Sequence, residues 1–295
     1  MLQSGDSRYH PPVVETPTPG PALLKRQLGE ELRKLRLAAN ITVAQTAAEL
    51  GSSEAKVRHL ENGRNVPSKP DLTVMISLYQ GTTRAHEELE ELRQAAVSRG
   101  WWSSYRLPPV LQTYVGLEAD ATMIHNFEIE IIPGLLQTEA YARKINAGGP
   151  MKLSEEAIDR HVAARLRRQE LLTDPRQVIF RSVISEAAFH RLRGTSPDIM
   201  ADQCEHLVNV ARRPNVTIQV LPFSAGLHPS MAGDFNLLTF PEGVSTKPAA
   251  YLEHASGGHV DHDRRVVDRL FEVYETLAAQ SLSPADSVDF MAGWI

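Results

Sequence analysis

Residues 42–63 read TVAQTAAELGSSEAKVRHLENG, and this stretch decides the fold of the N-terminal part of the chain. Thr42 can cap a helix over residues 43–50, because its side-chain oxygen accepts a free amide of the first turn. Gly51 ends that helix, since glycine tolerates the left-handed backbone of a sharp reversal. Ser53 is placed to cap a second helix that runs to about Asn62. The pattern predicts two short helices joined by a tight turn, with Ala47, Leu50, Val57 and Leu60 facing inward.

Amphipathic helices are predicted on both sides of this pair. The upstream helix ends near Asn40 and has an apolar stripe of Leu28, Leu32, Leu35 and Leu37. Its opposite, charged face holds Glu30, Arg33, Lys34 and Arg36. Downstream, Pro67 and Pro70 mark a loop, and Asp71 is predicted to cap a helix. The inward residues of that helix are Leu72, Met75, Ile76 and Tyr79.

Two short helices with a small alanine where the partner crosses are typical of a helix-turn-helix. Residues 28 to about 82 closely resemble the Xre domain of phage-type repressors, through the ordered set of cap, alanine, glycine, second cap and the terminal Glu61-Asn62-Gly63. The resemblance implies an all-α, phage-repressor-like domain that binds double-stranded DNA. The alternative is an ordinary helical hairpin in an α-helical scaffold.

The resemblance also implies which side chains contact DNA. Glu54, Ala55 and His59 occupy positions where family members contact bases, with Arg58 beside them, and Lys56 and Arg64 are placed for phosphate. The family commonly has glutamine one residue after the Thr42 position, where this chain has Val43, so the Thr42 hydroxyl and Gln45 are its candidate phosphate contacts instead. The complete predicted set is Thr42, Gln45, Ser53, Glu54, Ala55, Lys56, Arg58, His59, Asn62 and Arg64.

The charge distribution agrees with a polyanionic partner at one end of the chain. Residues 25–71 carry nine Lys and Arg against six Asp and Glu, whereas the whole chain of 295 residues has a net charge of −5. No run approaches the ~20 apolar residues of a membrane span, and no secretory signal is evident. The single cysteine, Cys204, cannot form an internal disulfide, and it is predicted to be buried and inert. We therefore expect a cytoplasmic protein.

The length predicts more than one domain. We expect a flexible, proline-rich tail over residues 1–24, the helix-turn-helix domain over 25–82 and a linker helix over 83–100. An α+β domain with a small mixed sheet follows over residues 101–295. Its strands are predicted at 178–184, 216–223, 235–240 and 248–254, and its helices at 118–127, 138–145, 154–172, 197–211, 263–280 and 283–291.

The C-terminal domain resembles a domain of unknown function that follows an Xre domain in many actinobacterial regulators, including WhiJ-like developmental proteins. The resemblance lies in Trp101-Trp102, IPGLLQTEAYAR at 132–143, AARLRRQELL at 163–172, SEAAFHR at 185–191, PNVTIQVLPFSAGLHP at 214–229 and LSPADS at 282–287. It assigns no ligand. Genes for such regulators often neighbour one for a small partner protein.

Within this domain, ordinary structural roles account for the chemically interesting residues. His254, His259, Asp261, His262 and Asp263 lie close in sequence but lack the spacing of a metal site. Trp101, Trp102, Tyr105 and Tyr114 are expected to pack at the domain junction, although they could line an effector pocket. Arg160, Arg165, Arg167 and Arg168 lie on one predicted helix and could bind an anion, but we expect a solvated face paired with nearby Glu residues. We expect no metal, no cofactor and no catalytic residue, since the common catalytic motifs are absent from the sequence.

These observations predict a sequence-specific transcriptional regulator that pairs as a homodimer and contacts two half-sites. Its C-terminal domain would sense an unidentified small molecule or a partner protein. One alternative is the DNA-binding component of a toxin–antitoxin-like pair whose C-terminal domain binds a small protein. A second is an enzymatic C-terminal domain targeted to DNA.

Overall fold

The computed structural model describes residues 19–98, 100–149, 152–174, 178–242, 247–254 and 257–295. Most of the predicted tail, residues 1–18, lies outside these ranges. Residues 21–24 do not belong to a tail, because helix α1 begins at Pro21. The carboxylate of Asp120 accepts hydrogen bonds from the backbone N–H groups of Gly20 at 2.8 Å and Leu23 at 3.3 Å, so another part of the chain supplies the cap of this helix.

Five helices form the N-terminal part, which we call the headpiece. They are α1 (Pro21–Ala38), α2 (Val43–Glu49), α3 (Glu54–Glu61), α4 (Lys69–Leu78) and α5 (Thr83–Ala96). Their core includes Leu28, Leu32, Leu60, Leu72 and Met75. The helix predicted as a linker is α5, whose Leu89 is buried in this same core. The cap of α4 is Ser68 and not Asp71, since the Ser68 hydroxyl accepts from the Asp71 backbone N–H.

The inward stripe of α1 differs from the prediction at two positions. Leu37 is 56% exposed, whereas Arg36 is only 7% exposed. Residue 36 follows Leu32 by four positions and therefore lies on the same helix face, while residue 37 is rotated away from it. The helical period thus places a cation in the core, where it needs a buried partner.

The remaining described residues, from 100 onward, form the body, in which helices surround one mixed sheet. Its helices are α6 (Pro109–Asp120), α7 (Glu139–Ala147), α8 (Glu155–Gln169), α9 (Glu186–Leu192), α10 (Pro197–Val210), α11 (Arg264–Gln280) and α12 (Pro284–Ala292). Its strands are β1 (Met123–Glu128), β2 (Ile179–Ser185), β3 (Val216–Leu221), β4 (Phe235–Thr239), β5 (Ala249–His254) and β6 (Gly257–Asp261). The predicted fold class, an all-α domain followed by an α+β domain with a mixed sheet, is confirmed.

The strand order is β3-β2-β1-β4-β5-β6. Strands β1, β2 and β3 are parallel and joined by helical crossovers, while β4, β5 and β6 form an antiparallel meander. Alternate residues of each strand serve two cores. On β1, Ile124 belongs to the large core, and Phe127 belongs to the smaller core beneath α11.

The prediction of a helix over residues 118–127 is wrong, because α6 ends at Asp120 and β1 follows. The sequence of β1, MIHNFE, carries polar residues that resemble an exposed helix face, yet His125 and Asn126 are both buried. The amide of Asn126 donates to Asn236 on β4 and accepts from the Ser182 hydroxyl on β2. Side chains of strands that are distant in sequence therefore satisfy the buried hydrogen-bonding groups of Asn126. The short helix α9 and strand β6 were also not predicted.

The arginines of α8 do not share one solvated face as expected. Arg167 pairs with Glu170 at the surface, but the side chain of Arg168 is only 10% exposed and forms two hydrogen bonds of 2.7 and 2.8 Å with Glu118 on α6. Arg165 reaches inward to the Gln137 side chain. Although burial opposes charge on Arg168, the Glu118 carboxylate raises the pKa of its guanidinium above the ordinary value. This ion pair fastens α8 to α6.

Two predictions of ordinary packing in the body agree with the structure. Cys204 is fully buried, and burial raises the pKa of its thiol to about 11, which keeps it protonated. Tyr114 stacks on Tyr251 with ring centres 4.3 Å apart. Trp101 and Trp102 contact each other edge to face and pack against the large core. In the described part of the chain, no group of three His, Cys, Asp or Glu side chains is arranged to hold a metal ion.

Candidate nucleic-acid interface

Helix α3 presents one fixed face outward. Gly51, at φ +55°, makes the left-handed turn after α2, and the Ser53 hydroxyl then accepts from the Lys56 backbone N–H to start α3. Val57 is 0% and Leu60 is 2% exposed, so both side chains anchor the helix in the headpiece core. The residues between them necessarily face away from the core.

The end of α3 is held on α1 by a buried ion pair. Arg36 of α1 donates from Nε and Nη2 to the two carboxylate oxygens of Glu61, at 2.5 and 2.8 Å, and from Nη1 to the Ile41 carbonyl. Hydrogen bonding to Glu61 raises the pKa of Arg36, so its guanidinium stays charged. Gly63 follows at φ +67°, and a Cβ there would lie 2.5 Å from the Cα of Arg26 on α1. The bidentate pair and this close approach fix the orientation of α3.

Helix α2 begins with a capping box. The Thr42 hydroxyl accepts from the Gln45 backbone N–H, and the Gln45 side-chain oxygen accepts from the Thr42 backbone N–H at 2.8 Å. These bonds occupy the oxygen of Gln45. Its side-chain NH2 donates to no partner among the described residues and is available for an acceptor such as phosphate.

All ten side chains predicted to contact DNA lie at the surface of the headpiece. Lys56 and His59 are half-buried. The exposed ones are Thr42, Gln45, Ser53, Glu54, Ala55, Arg58, Asn62 and Arg64. They belong to α2 and α3 with their caps and to the loop that follows α3. Asn62 and Arg64 also line a cavity between the headpiece and the body.

Sequence reasoning missed three contacts that engage these side chains in the free protein. Arg58 donates to Glu54 at 2.6 Å, and Lys56 donates to Asp71 of α4 at 2.9 Å. Arg64 lies 3.5 Å from the His59 ring nitrogen. The spacing of four residues between Glu54 and Arg58 indicates their pairing, but nothing local predicts the pairing of Lys56.

These pairs change what the outward face can do chemically. Glu54 partly neutralises Arg58, and Asp71 partly neutralises Lys56, so two cations must leave or share their partners when they meet phosphate. Both pairs are at least partly exposed, and such pairs contribute little to stability. Exchanging them for contacts with DNA is therefore inexpensive.

Comparison with known proteins assigns both parts of the chain. Residues 27–92 match a family described as a helix-turn-helix domain, and residues 111–293 match a domain of unknown function, DUF5753. The second match covers more than half of the chain. The chain belongs to the DUF5753 family. No curated protein and no solved structure matches it.

In this DUF5753 family member, the helix-turn-helix match contains α2, α3 and all ten predicted DNA-contacting residues. The match supports a DNA-binding regulator. The description of the second domain names no activity and no ligand. Among the residues described in the structure, no helix is both long and apolar enough to cross a membrane.

Proposed function

We propose that this protein is a sequence-specific transcriptional regulator that inserts α3 into the major groove of DNA. The observation that carries this function is the outward face of α3, which is exposed while the opposite face is locked into the core. In the proposed complex, Glu54, Ala55, Arg58 and His59 contact base edges. Lys56, Arg64 and the NH2 group of Gln45 contact phosphate.

The active form in this proposal is a homodimer in the cytoplasm. One headpiece presents a single short helix, and a single module of this size buries too little surface for tight, selective binding. A dimer doubles the interface and contacts two half-sites about 34 Å apart, one helical turn of DNA. The narrower assignment to Xre-type, WhiJ-like actinobacterial regulators rests on the sequence resemblance, and it implies that the body regulates the headpiece. The body has no catalytic role in this proposal.

The experiment that tests this function is selection of bound sequences from randomised duplex DNA with the full chain. The expected result is a motif with two related halves centred about one helical turn apart. Arg58→Ala should weaken binding to the selected site by ~1–3 kcal/mol and relax specificity at one position. An unenriched pool would contradict the proposal, and equal losses on selected and random DNA would make Arg58 a phosphate contact.

A second candidate function, a DNA-binding component paired with a small protein, is favoured by one surface of the body. The segment between β3 and β4 exposes three large apolar side chains: Phe223 at 56%, Leu227 at 85% and Met231 at 59%. Exposed apolar side chains that form one patch are typical of protein contacts, and these three residues come from a single connecting segment. Co-expression with the neighbouring gene product tests this function. A complex lost in Leu227→Ser would support it, and no complex at micromolar concentrations would exclude that product as the partner.

A further inference from the structure

A cavity of about 620 Å³ lies between the headpiece and the body. Its headpiece wall comes from α1 and the end of α3, and its body wall comes from α6, β6 and the first residue of α11. We call it the interdomain cavity. Its volume is in the range of small-molecule sites, which occur preferentially between domains.

Cationic side chains outnumber carboxylates in the lining of this cavity, by six to four. The cations are Arg26, Arg33, Lys34, Arg64, Lys247 and Arg264. Three of the four carboxylates already have arginine partners: Glu30 pairs with Arg26, Glu61 with Arg36 and Asp263 with Arg265. The fourth, Asp261, accepts a backbone N–H.

Several cations in the lining have no acidic partner. Among the described residues, no carboxylate lies within ion-pair distance of Arg33, Arg64 or Lys247. Arg33 and Arg64 come from the headpiece and Lys247 from the body. All three are exposed, and a guanidinium or ammonium group in such a position can turn toward an anion without breaking an ion pair.

The buried part of the lining contains two polar groups with unsatisfied hydrogen bonds. Arg26 is 3% exposed; its Nε donates to Glu30 and its Nη2 to the Pro248 carbonyl, but its Nη1 has no partner in the described part of the chain. The Nδ1 of His262 likewise has none. A buried donor without an acceptor is costly, and sites that bind ligands are one place where such groups persist.

Charge on these two groups fits an anionic ligand. Burial lowers the pKa of Arg26 only to about 10, so its guanidinium stays charged at neutral pH. Burial is the main cause that lowers the pKa of His262 to about 3, and the positive charges of Arg26 and Arg64 lower it in the same direction, so its imidazole is neutral at neutral pH. The lining therefore includes one charged guanidinium and one neutral imidazole, each with a buried nitrogen that has no partner among the described residues.

We propose that the interdomain cavity binds a small organic oxyanion, a phosphate ester or a carboxylate, through Arg26, Arg64, Lys247 and His262 of its lining. The organic part of the ligand lies against Leu37, Val110 and Val260, which are the apolar residues of the lining. A fork of guanidinium N–H groups suits both kinds of oxyanion. DNA phosphate is a poorer occupant, since Arg26 is almost completely buried where the headpiece meets the body.

Such a ligand touches both parts of the protein and so couples them. Arg26 and Arg64 belong to the headpiece, and Lys247 and His262 to the body. An anion that bridges them stabilises one placement of the headpiece on the body. Its effect on DNA affinity rests on the proposed function, whereas binding of the anion itself can be measured without DNA.

The experiment measures binding of inorganic phosphate to the full chain by calorimetry, with chloride added to keep the ionic strength constant. Acetate in a parallel titration distinguishes a carboxylate from a phosphate preference. Lys247→Ala removes an exposed lining cation, and Lys144→Ala removes an exposed lysine of α7 outside the cavity. Arg26→Lys keeps the buried charge but removes the fork. We expect Lys247→Ala and Arg26→Lys each to weaken phosphate or acetate binding at least about tenfold, and Lys144→Ala to leave it unchanged.

Three outcomes would overturn the site. The first is no saturable binding of either anion, and the second is equal binding by wild type and Lys247→Ala. The third is a loss of DNA affinity in Lys247→Ala as large as that in Arg58→Ala, which would indicate that the cavity binds the DNA backbone. Failure of the proposed function has a different signature: phosphate would still bind to the wild type, and no duplex would.

Discussion

Replacing Glu54 by Gln tests the geometry of the outward face directly. Glu54 accepts from Arg58 at 2.6 Å, and the side chains of the pair are 50% and 60% exposed. The substitution keeps the size of the side chain, removes its negative charge and releases Arg58. On random duplex DNA, where no base is selected, Arg58 should then contact one additional phosphate.

The size of each effect follows from this exposure. An exposed pair with four-residue spacing stabilises a helix by about 0.3–0.5 kcal/mol, so the free energy of unfolding should hardly change. Removing a carboxylate that faces phosphate gains on the order of 1 kcal/mol, or about fivefold in affinity at low salt. One more phosphate contact steepens the salt dependence by about 0.9 in log–log slope, which adds about 3.5-fold weakening between 50 and 200 mM salt.

Fluorescence anisotropy with a random duplex at several salt concentrations measures both quantities. Glu88→Gln is the matched control, because Glu88 also pairs with an arginine four residues away, on α5, at 2.7 Å. Its affinity and slope should equal those of the wild type. If Glu54→Gln changes neither affinity nor slope, or if Glu88→Gln changes them equally, the outward face of α3 is not at the DNA.

Three further results are expected from unfolding measurements. Gly51→Ala should lower the free energy of unfolding in urea by about 1 kcal/mol, because the added Cβ meets no atom and only the backbone is strained. Gly63→Ala should lower it further, because the added Cβ would lie 2.5 Å from the backbone of α1. Equal losses in the two variants would contradict the packing of Gly63 on α1. Arg168→Met should lose about 3–5 kcal/mol by leaving Glu118 buried and unpaired, and the double replacement Arg168→Met with Glu118→Leu should recover most of it. Burial, and to a smaller extent a neighbouring arginine, lowers the pKa of His125 from 6.5 to about 4. As the pH falls from 6.5 to about 4, the unfolded chain binds a proton at His125 that the folded chain does not, so the free energy of unfolding decreases. His125→Phe should remove on the order of 3 kcal/mol of that fall, and an unchanged pH profile would contradict the assignment.

The helices of the headpiece could be predicted because their signals are local. A cap, an apolar period and a left-handed glycine each depend on residues within one or two turns, and Thr42, Gly51 and Ser53 act as these signals indicate. Arg36 was assigned to the wrong face because arginine usually marks the surface. Its burial depends on Glu61, 25 residues away, and no period within α1 reveals that partner.

The body was predicted less well where buried polar side chains have hydrogen-bond partners that are distant in sequence. The crossover between β2 and β3 and the antiparallel pairing of β4 with β5 follow from spacing, whereas β6, the last strand of the meander, was not predicted. By contrast, Asn126 is buried in β1 because Asn236, 110 residues away, accepts its hydrogen bond. The same applies to Arg168, whose partner Glu118 precedes it by 50 residues. The outward face of α3 could be predicted, whereas the interdomain cavity could not, since its lining comes from segments at both ends of the chain.

Helix α1 belongs to both cores and therefore connects them mechanically. Leu23 is buried in the large core of the body, whereas Leu28 and Leu32 are buried in the core of the headpiece. Eighteen residues of helix span about 27 Å without an interruption. Because the Arg36–Glu61 pair fixes α3 to the far end of α1, a change in the body that moves the first turn of α1 must either bend this helix or carry α3 with it. Arg26 lies between these two anchors and lines the interdomain cavity, so a ligand there would act on the segment of α1 through which the body can control the orientation of α3.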